Sequence, residues 1–162
     1  MDLVGAGLGD DGQYEQSLAA DPAQAVLHYK AGILLRQIGE NPRAARHLEE
    51  SIRQGFRNTG VHFHLAAAQF AAGVLTDGRA TALAMLLPGP PSSAVALRVG
   101  RLLFQYLFYR DARDAFETAL SRSDESLESG SYLALTNFLL NEHERTVDLL
   151  EPLANPSGPA SA

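Results

Sequence analysis

The sequence predicts an all-α protein built from a short array of helix pairs. Residues of similar size recur every 34 positions, and the apolar side chains within each unit follow helical spacing. No stretch of about four to eight residues alternates strictly between apolar and polar side chains, so we expect no sheet. Because a single helix pair cannot bury its own apolar face, successive pairs must stack on one another.

The repeat is clearest in two columns that contain only small residues. The first column is Gly32, Ala66, Gly100 and Ala134, and the second is Ala44, Gly78, Ala112 and Thr146. Two helices approach most closely where the side chains at their crossing are small. We therefore expect the first column to face the second within each unit, while larger columns fill the space between units: Leu48, Ala82, Phe116 and Leu150 form one of these.

The first two units carry clear helix signals. In the first, a helix is expected from Ala25 to Gln37, with Gly39 as its stop. Asn41 can cap the second helix, in which Pro42 suits the first turn. The second unit repeats this arrangement with Gly73 as the stop and ends at the proline-rich stretch 88–91.

The last two units are predicted from their caps and apolar spacing. Ser92 or Ser93 should cap a helix that runs from residue 94 to 107, and its partner should run from Asp111 to about residue 121. Ser123 or Asp124 should cap the last pair, which Pro152 should kink or end.

The predicted organisation is a flexible segment 1–12, a half repeat 13–24, four repeats and a flexible tail 155–162. The four repeats are 25–58, 59–92, 93–126 and 127–154.

The order of residues within a unit resembles the tetratricopeptide repeat (TPR) family, whose pattern is W-x2-L-G-x2-Y, then A-x3-F, then P. The first unit has His28-x2-Ala31-Gly32-x2-Leu35 followed by Ala44-x3-Leu48, and the third has Ala96-x2-Val99-Gly100-x2-Leu103 followed by Ala112-x3-Phe116. The resemblance covers about residues 13 to 155, although no unit carries the family's tryptophan. It implies a right-handed superhelical α-solenoid whose first helices line a concave, peptide-binding groove.

The same resemblance assigns groove positions on the first helix of each unit. In chain order, these are Tyr29, Lys30, Ile33, Arg36, Phe63, His64, Phe70, Leu97, Arg98, Arg101, Phe104, Tyr132, Leu135 and Phe138, with Gln37, Ala67, Gln105 and Ser131 beside them. Phe70, Phe104 and Phe138 fall in one column, which is either an exposed aromatic stripe or core between adjacent first helices. Arg98 and Arg101 lie three residues apart on one helix face, where they either grip a carboxylate or are simply solvated.

Composition narrows the classes of function. A net charge of -6, from 13 basic and 19 acidic residues, argues against nucleic-acid binding. No apolar run approaches the roughly 18 residues of a membrane span, so we expect no membrane insertion. The absence of cysteine excludes disulfides and thiol nucleophiles and fits cytoplasm and periplasm alike. A single lysine among the basic residues is typical of a GC-rich bacterial source.

Neither a catalytic nor a metal site is expected. Gly7, Gly9 and Gly12 match a phosphate-loop spacing, but the strand and helix that such a loop needs are lacking. His62 and His64 lie two apart on a helix and so point to different sides. The prediction is therefore a non-enzymatic module without metal or cofactor that binds a protein or peptide partner bearing an acidic group. The alternatives are homo-oligomerisation or a regulatory segment of a larger protein.

Overall fold

The computed structural model describes residues 22–87, 89–122 and 126–154, which form eight α-helices and no strand. The helices are α1 (Pro22–Gln37), α2 (Asn41–Arg53), α3 (Thr59–Ala71), α4 (Leu75–Ala84), α5 (Ser93–Gln105), α6 (Tyr109–Leu120), α7 (Ser126–Leu139) and α8 (His143–Ala154). Each helix packs against the next one along the chain, so the fold is an all-α solenoid, as the sequence predicts. Several predicted features lie outside the described residues: the segments 1–12 and 155–162, most of the half repeat, the glycine motif, Pro88 and the caps at 123 and 124.

One turn joins the two helices of every unit, and it recurs every 34 residues. Its central residue has a positive φ in each case: 81° at Gly39, 82° at Gly73, 67° at Leu107 and 60° at Asn141. The amide after that residue donates to the carbonyl five positions earlier, as in Glu40 N–H to Leu35 O at 2.9 Å. Glycine adopts this left-handed geometry most easily, which is why Gly39 and Gly73 could be predicted as the ends of helices.

The structure corrects some of the predicted helix ends and selects one of the two predicted caps of α5. Asn41 is the first residue of α2 and does not cap it, since its side-chain amide donates back to Gly39 O at 3.2 Å. Ser92 is the cap of α5 and accepts from Val95 N–H. That helix ends at residue 105 instead of 107, because the left-handed turn at Leu107 needs the preceding residues. Pro152 lies within α8, two residues before its end.

The glycines of the small-residue columns lie against large side chains, in addition to the expected small residue in the first unit, where a Cβ on Gly32 would lie 3.2 Å from Ala44 O. A Cβ on Gly32 would lie 2.5 Å from Leu48 Cγ, and one on Gly100 would lie 2.6 Å from Phe116 Cε1. Each glycine on a first helix thus makes room for the large residue of the A-x3-F position on the second helix. Leu48 and Phe116 are both fully buried.

Ion pairs of one repeating kind connect successive units. Arg79 forms a two-point pair with Asp111 at 2.6 and 2.8 Å, and Arg113 contacts Glu142 at 2.8 Å. The two arginines are 34 residues apart, and each reaches from the second helix of its unit to the residues that open the second helix of the next. These pairs fix the spacing of the second helices. No helix in the described part of the chain is long and apolar enough to cross a membrane.

Candidate functional site

The first helices form the inner layer of the array. α1, α3, α5 and α7 contact one another in succession, whereas successive second helices have no comparable helix-to-helix contact. A stack in which one layer is more closely spaced curves toward that layer. The face formed by the first helices is therefore the concave one, where the resemblance places a groove.

A depression on this face lies between α3, α5 and α7. It has a volume of about 610 Å³ and is lined by Phe63, Arg98, Arg101, Leu102, Phe104, Gln105 and Tyr132. Five of these residues belong to the predicted groove set, and Gln105 was placed beside it. Leu102 also lines the depression but was not among the predicted residues, since it is a buried residue that faces the core. We call this depression the central cavity.

The two arginines of the central cavity have different partners. The Arg98 guanidinium carbon lies 4.1 Å above the ring centroid of Phe63, and Arg98 forms no ion pair with any carboxylate of the described residues. Arg101 instead donates to Glu128 Oε1 at 3.1 Å and lies 5.6 Å from the ring centroid of Tyr132. The predicted arginine pair is thus divided: Arg101 pairs with a carboxylate, and Arg98 lies over an aromatic ring.

Glu128 contacts a residue of the central cavity and was not among the predicted site residues. It lies on α7 and supplies a carboxylate beside Arg101. Its equivalents 34 and 68 residues earlier are Ala94 and Gly60. Because these positions are small in the other units, only the charge of Glu128 itself could have pointed to a pair with Arg101.

The phenylalanine column is not a continuous stripe. Phe70 is only 2% exposed and stacks on Tyr106 with ring centroids 4.5 Å apart, so it belongs to the core and does not line the groove. Phe104 is half-buried, and its ring meets Tyr132 at 6.0 Å. Phe138 is 54% exposed. The core interpretation therefore holds for Phe70, while Phe104 forms one wall of the central cavity.

The remaining predicted residues extend the groove toward α1 and α7. Tyr29 is half-buried against Phe56, with ring centroids 5.0 Å apart, and faces His64 at 6.0 Å. Lys30 and Leu135 are exposed, whereas Ile33 and Leu97 are half-buried, and Leu97 packs against the core.

Arg36 and His64 contain polar atoms that are buried without a hydrogen-bond partner. These atoms are Nε of Arg36 and Nδ1 of His64. Burial lowers the pKa of the His64 imidazole below its usual value, and the positive charges of Arg36 and Arg98 lower it further. The part of the groove between α1 and α5 therefore has a cationic character that no described acidic residue offsets.

Three other histidines make contacts of their own. His28 Nδ1 and His47 Nδ1 are 2.9 Å apart, and His62 Nδ1 contacts the backbone oxygen of Asn58 at 2.9 Å. Within the described ranges, no three histidine, aspartate or glutamate side chains come together in a way that could hold a metal ion.

No protein-family model matches this sequence, and no curated protein is similar enough in sequence to match it. Among solved structures, the chain resembles a crystal structure of MamA protein with 16% identity and a TM-score of 0.64, covering 79% of this chain and 70% of that one. It also resembles MamA, residues 41 to the end, from Desulfovibrio magneticus RS-1, with 14% identity and a TM-score of 0.64, covering 86% and 78%. At these identities the likeness concerns the fold alone: the chain shares the all-α helical-repeat fold of those proteins.

Proposed function

We propose that this chain is a non-enzymatic protein-interaction module that binds an extended or amphipathic segment of a partner protein in its concave groove. The central cavity carries this proposal, because it combines aromatic walls with a cation that pairs with no carboxylate of the described residues. Phe104 and Tyr132 supply apolar surface for an anchoring side chain. Arg98 supplies the charge for an acidic group of the partner.

The geometry favours a peptide over a small polar ligand. The cavity is an open depression along the first helices, and its walls are mostly aromatic and aliphatic. A guanidinium already held 4.1 Å from the centroid of an aromatic ring loses little side-chain freedom when it binds a carboxylate. A short segment with an apolar anchor and a nearby aspartate or glutamate satisfies both features.

The proposal is tested by selecting binders from a random dodecapeptide library displayed on phage. The recovered peptides are then synthesised and measured by fluorescence anisotropy against wild type, Arg98→Ala and Arg46→Ala. Arg46 is an exposed arginine on α2 and is the matched control. Because a charge-assisted hydrogen bond contributes about 1.5–3 kcal/mol, Arg98→Ala should weaken binding by about tenfold to a hundredfold while Arg46→Ala leaves it unchanged. Selection that yields no peptide sensitive to Arg98→Ala refutes the proposal.

Self-assembly is the second candidate, and an exposed face of α1 favours it. Leu27, Leu34 and Ile38 are 64%, 61% and 73% exposed and share one side of the helix. Each later first helix has the preceding second helix packed against it. A second copy of this chain could cover this side of α1 in the same way.

Light scattering across a hundredfold range of protein concentration tests this alternative. Self-assembly requires a mass that rises with concentration and a return to monomer in Leu34→Glu. A constant monomeric mass excludes it.

A further inference from the structure

Arg36, His64 and Arg98 place three basic side chains along the groove on three successive first helices. They lie on α1, α3 and α5. Some arginines of the array have carboxylate partners, as Arg79 has in Asp111 and Arg113 in Glu142. Arg36 and Arg98 have none among the described residues, although the protein as a whole is acidic.

The first two members of this cluster also contain orphan polar atoms. Nε of Arg36 and Nδ1 of His64 are buried with no partner in the chain. Buried N–H groups and ring nitrogens are nearly always hydrogen-bonded, because an unpaired one loses its contacts with water and gains nothing in return. Two such atoms on adjacent helices indicate a place that a hydrogen-bonding ligand completes.

The surroundings of His64 determine the charge of that ligand. Arg36 and Tyr29 face it from α1, and Arg98 faces it from α5. Burial lowers the pKa of the His64 imidazole, and the two arginines lower it further because they repel a proton on the ring, so His64 is neutral at pH 7 in the free protein. A carboxylate bound here would offset both positive charges and give the protonated imidazole a partner.

We infer that Arg36 and His64 form a second subsite of the groove, which receives a carboxylate of an acidic peptide and takes up one proton from solvent as it does so. The inference rests on the proposed function, since the same peptide segment would place its apolar anchor in the central cavity. Arg98 lies between the two subsites and acts on both. The partner is thus a segment with two acidic side chains, one for Arg98 and one for the Arg36–His64 subsite.

Proton uptake makes binding depend on pH in a defined direction. A ligand that raises the pKa of a group must bind more tightly to its protonated form, so affinity increases as pH falls toward the pKa of the complex. The affinity should change by about tenfold for each unit by which the pKa in the complex exceeds that of the free protein. Aspartate and glutamate stay ionised above about pH 5, so the change is not due to the peptide.

The test uses peptides recovered in the phage selection, together with copies in which each aspartate or glutamate is replaced by asparagine or glutamine. Affinities are measured between pH 8 and 5.5 with wild type, His64→Gln and His62→Gln. Glutamine keeps a polar side chain but cannot titrate, and His62 is a neighbouring histidine that bonds to its own helix backbone. Wild type and His62→Gln should gain at least about threefold in affinity at the lower pH, whereas His64→Gln should gain none.

If the His64→Gln variant does not fold, a direct measurement on the wild-type chain still tests the inference. The ring protons of His64 are followed by NMR over the same pH range, with and without saturating peptide, and their titration midpoint should rise on binding. An unchanged midpoint overturns the inference, as does a pH effect of equal size in His64→Gln or with the amide peptides. Peptides that bind through Arg98 but show no link to His64 refute this inference alone. If no such peptide is found, the proposed function fails as well.

Discussion

Replacing Gly100 by alanine tests the contact that positions the central cavity. The new Cβ would lie 2.6 and 2.7 Å from two ring carbons of Phe116, a separation that requires the ring to move. Phe116 is fully buried and stacks on Tyr132 with ring centroids 5.2 Å apart, so the ring cannot move without disturbing the wall of the cavity. A methyl group that would stabilise most helices should therefore destabilise this one.

The expected magnitude follows from two opposing terms. Overpacking of a well-filled core costs about 1–3 kcal/mol. Alanine in place of glycine in a helix recovers about 1 kcal/mol. The free energy of unfolding should thus fall by about 1 kcal/mol, and Gly100→Leu, which places three further carbons against the same ring, should lower it more.

A double-mutant cycle isolates this contact. Phe116→Ala alone should cost about 3–5 kcal/mol because it leaves a cavity. In that background the obstructing ring is gone, so Gly100→Ala should raise the unfolding free energy by about 1 kcal/mol, through helix propensity alone. Urea unfolding followed by circular dichroism at 222 nm measures all four proteins. A Gly100→Ala variant that is more stable than wild type would show that the two helices separate easily, contrary to this reasoning.

Three further predictions concern the turn, the cavity wall and the groove histidine. Leu107→Gly should raise the midpoint of urea unfolding, because leucine at a φ of 67° costs about 1–2 kcal/mol. Its side chain is 68% exposed, so little packing is lost when it is removed. An unchanged midpoint would mean that the turn is unstrained. Phe104→Glu should abolish binding of the selected peptides while far-UV circular dichroism still shows a folded helical protein, and loss of the helical signal would instead make Phe104 core. Without ligand, the unfolded chain binds a proton at His64 more readily than the folded chain, because folding lowers the pKa of this histidine. The melting temperature should therefore fall as pH decreases through 6.5, and it should fall by a smaller amount in His64→Gln.

The period and type of the helices could be predicted because both depend on local sequence. Apolar spacing defines a helix face within one segment, and glycine is the residue best suited to the left-handed turn, as at Gly39 and Gly73. The same turn at Leu107 could not be found this way, since leucine rarely adopts a positive φ. There the turn is imposed by the packing of the two helices on either side.

The groove was only partly predictable because its chemistry depends on contacts between units. Assignment of residues to the first helices brought Phe63, Arg98 and Tyr132 together at the central cavity. It could not show that Arg101 is paired with Glu128, which is 27 residues away and in the next unit. Side chains that share a helix face need not share partners, because each one meets a different neighbouring helix.

The second unit shows why a column of equivalent residues does not have one structural role. In the first and third units a glycine on the first helix accepts a large side chain from the second helix. In the second unit the sizes are reversed: Gly78 lies on the second helix, and a Cβ there would lie 2.8 Å from the ring of Phe70 on the first. Phe70 is therefore drawn into the core.

This reversal also explains the position of the central cavity. Phe104 is the equivalent of Phe70, but Ala112 stands at the position of Gly78 and the space beside Gly100 is filled by Phe116, so the Phe104 ring stays half-buried at this face. The aromatic wall thus forms beside α5, within reach of Arg98, and not along the whole array. The two helices of a pair pack well only where a large side chain on one helix meets a small residue on the other. In the third unit, the large residue that has no glycine opposite it is Phe104, and it becomes part of the concave surface.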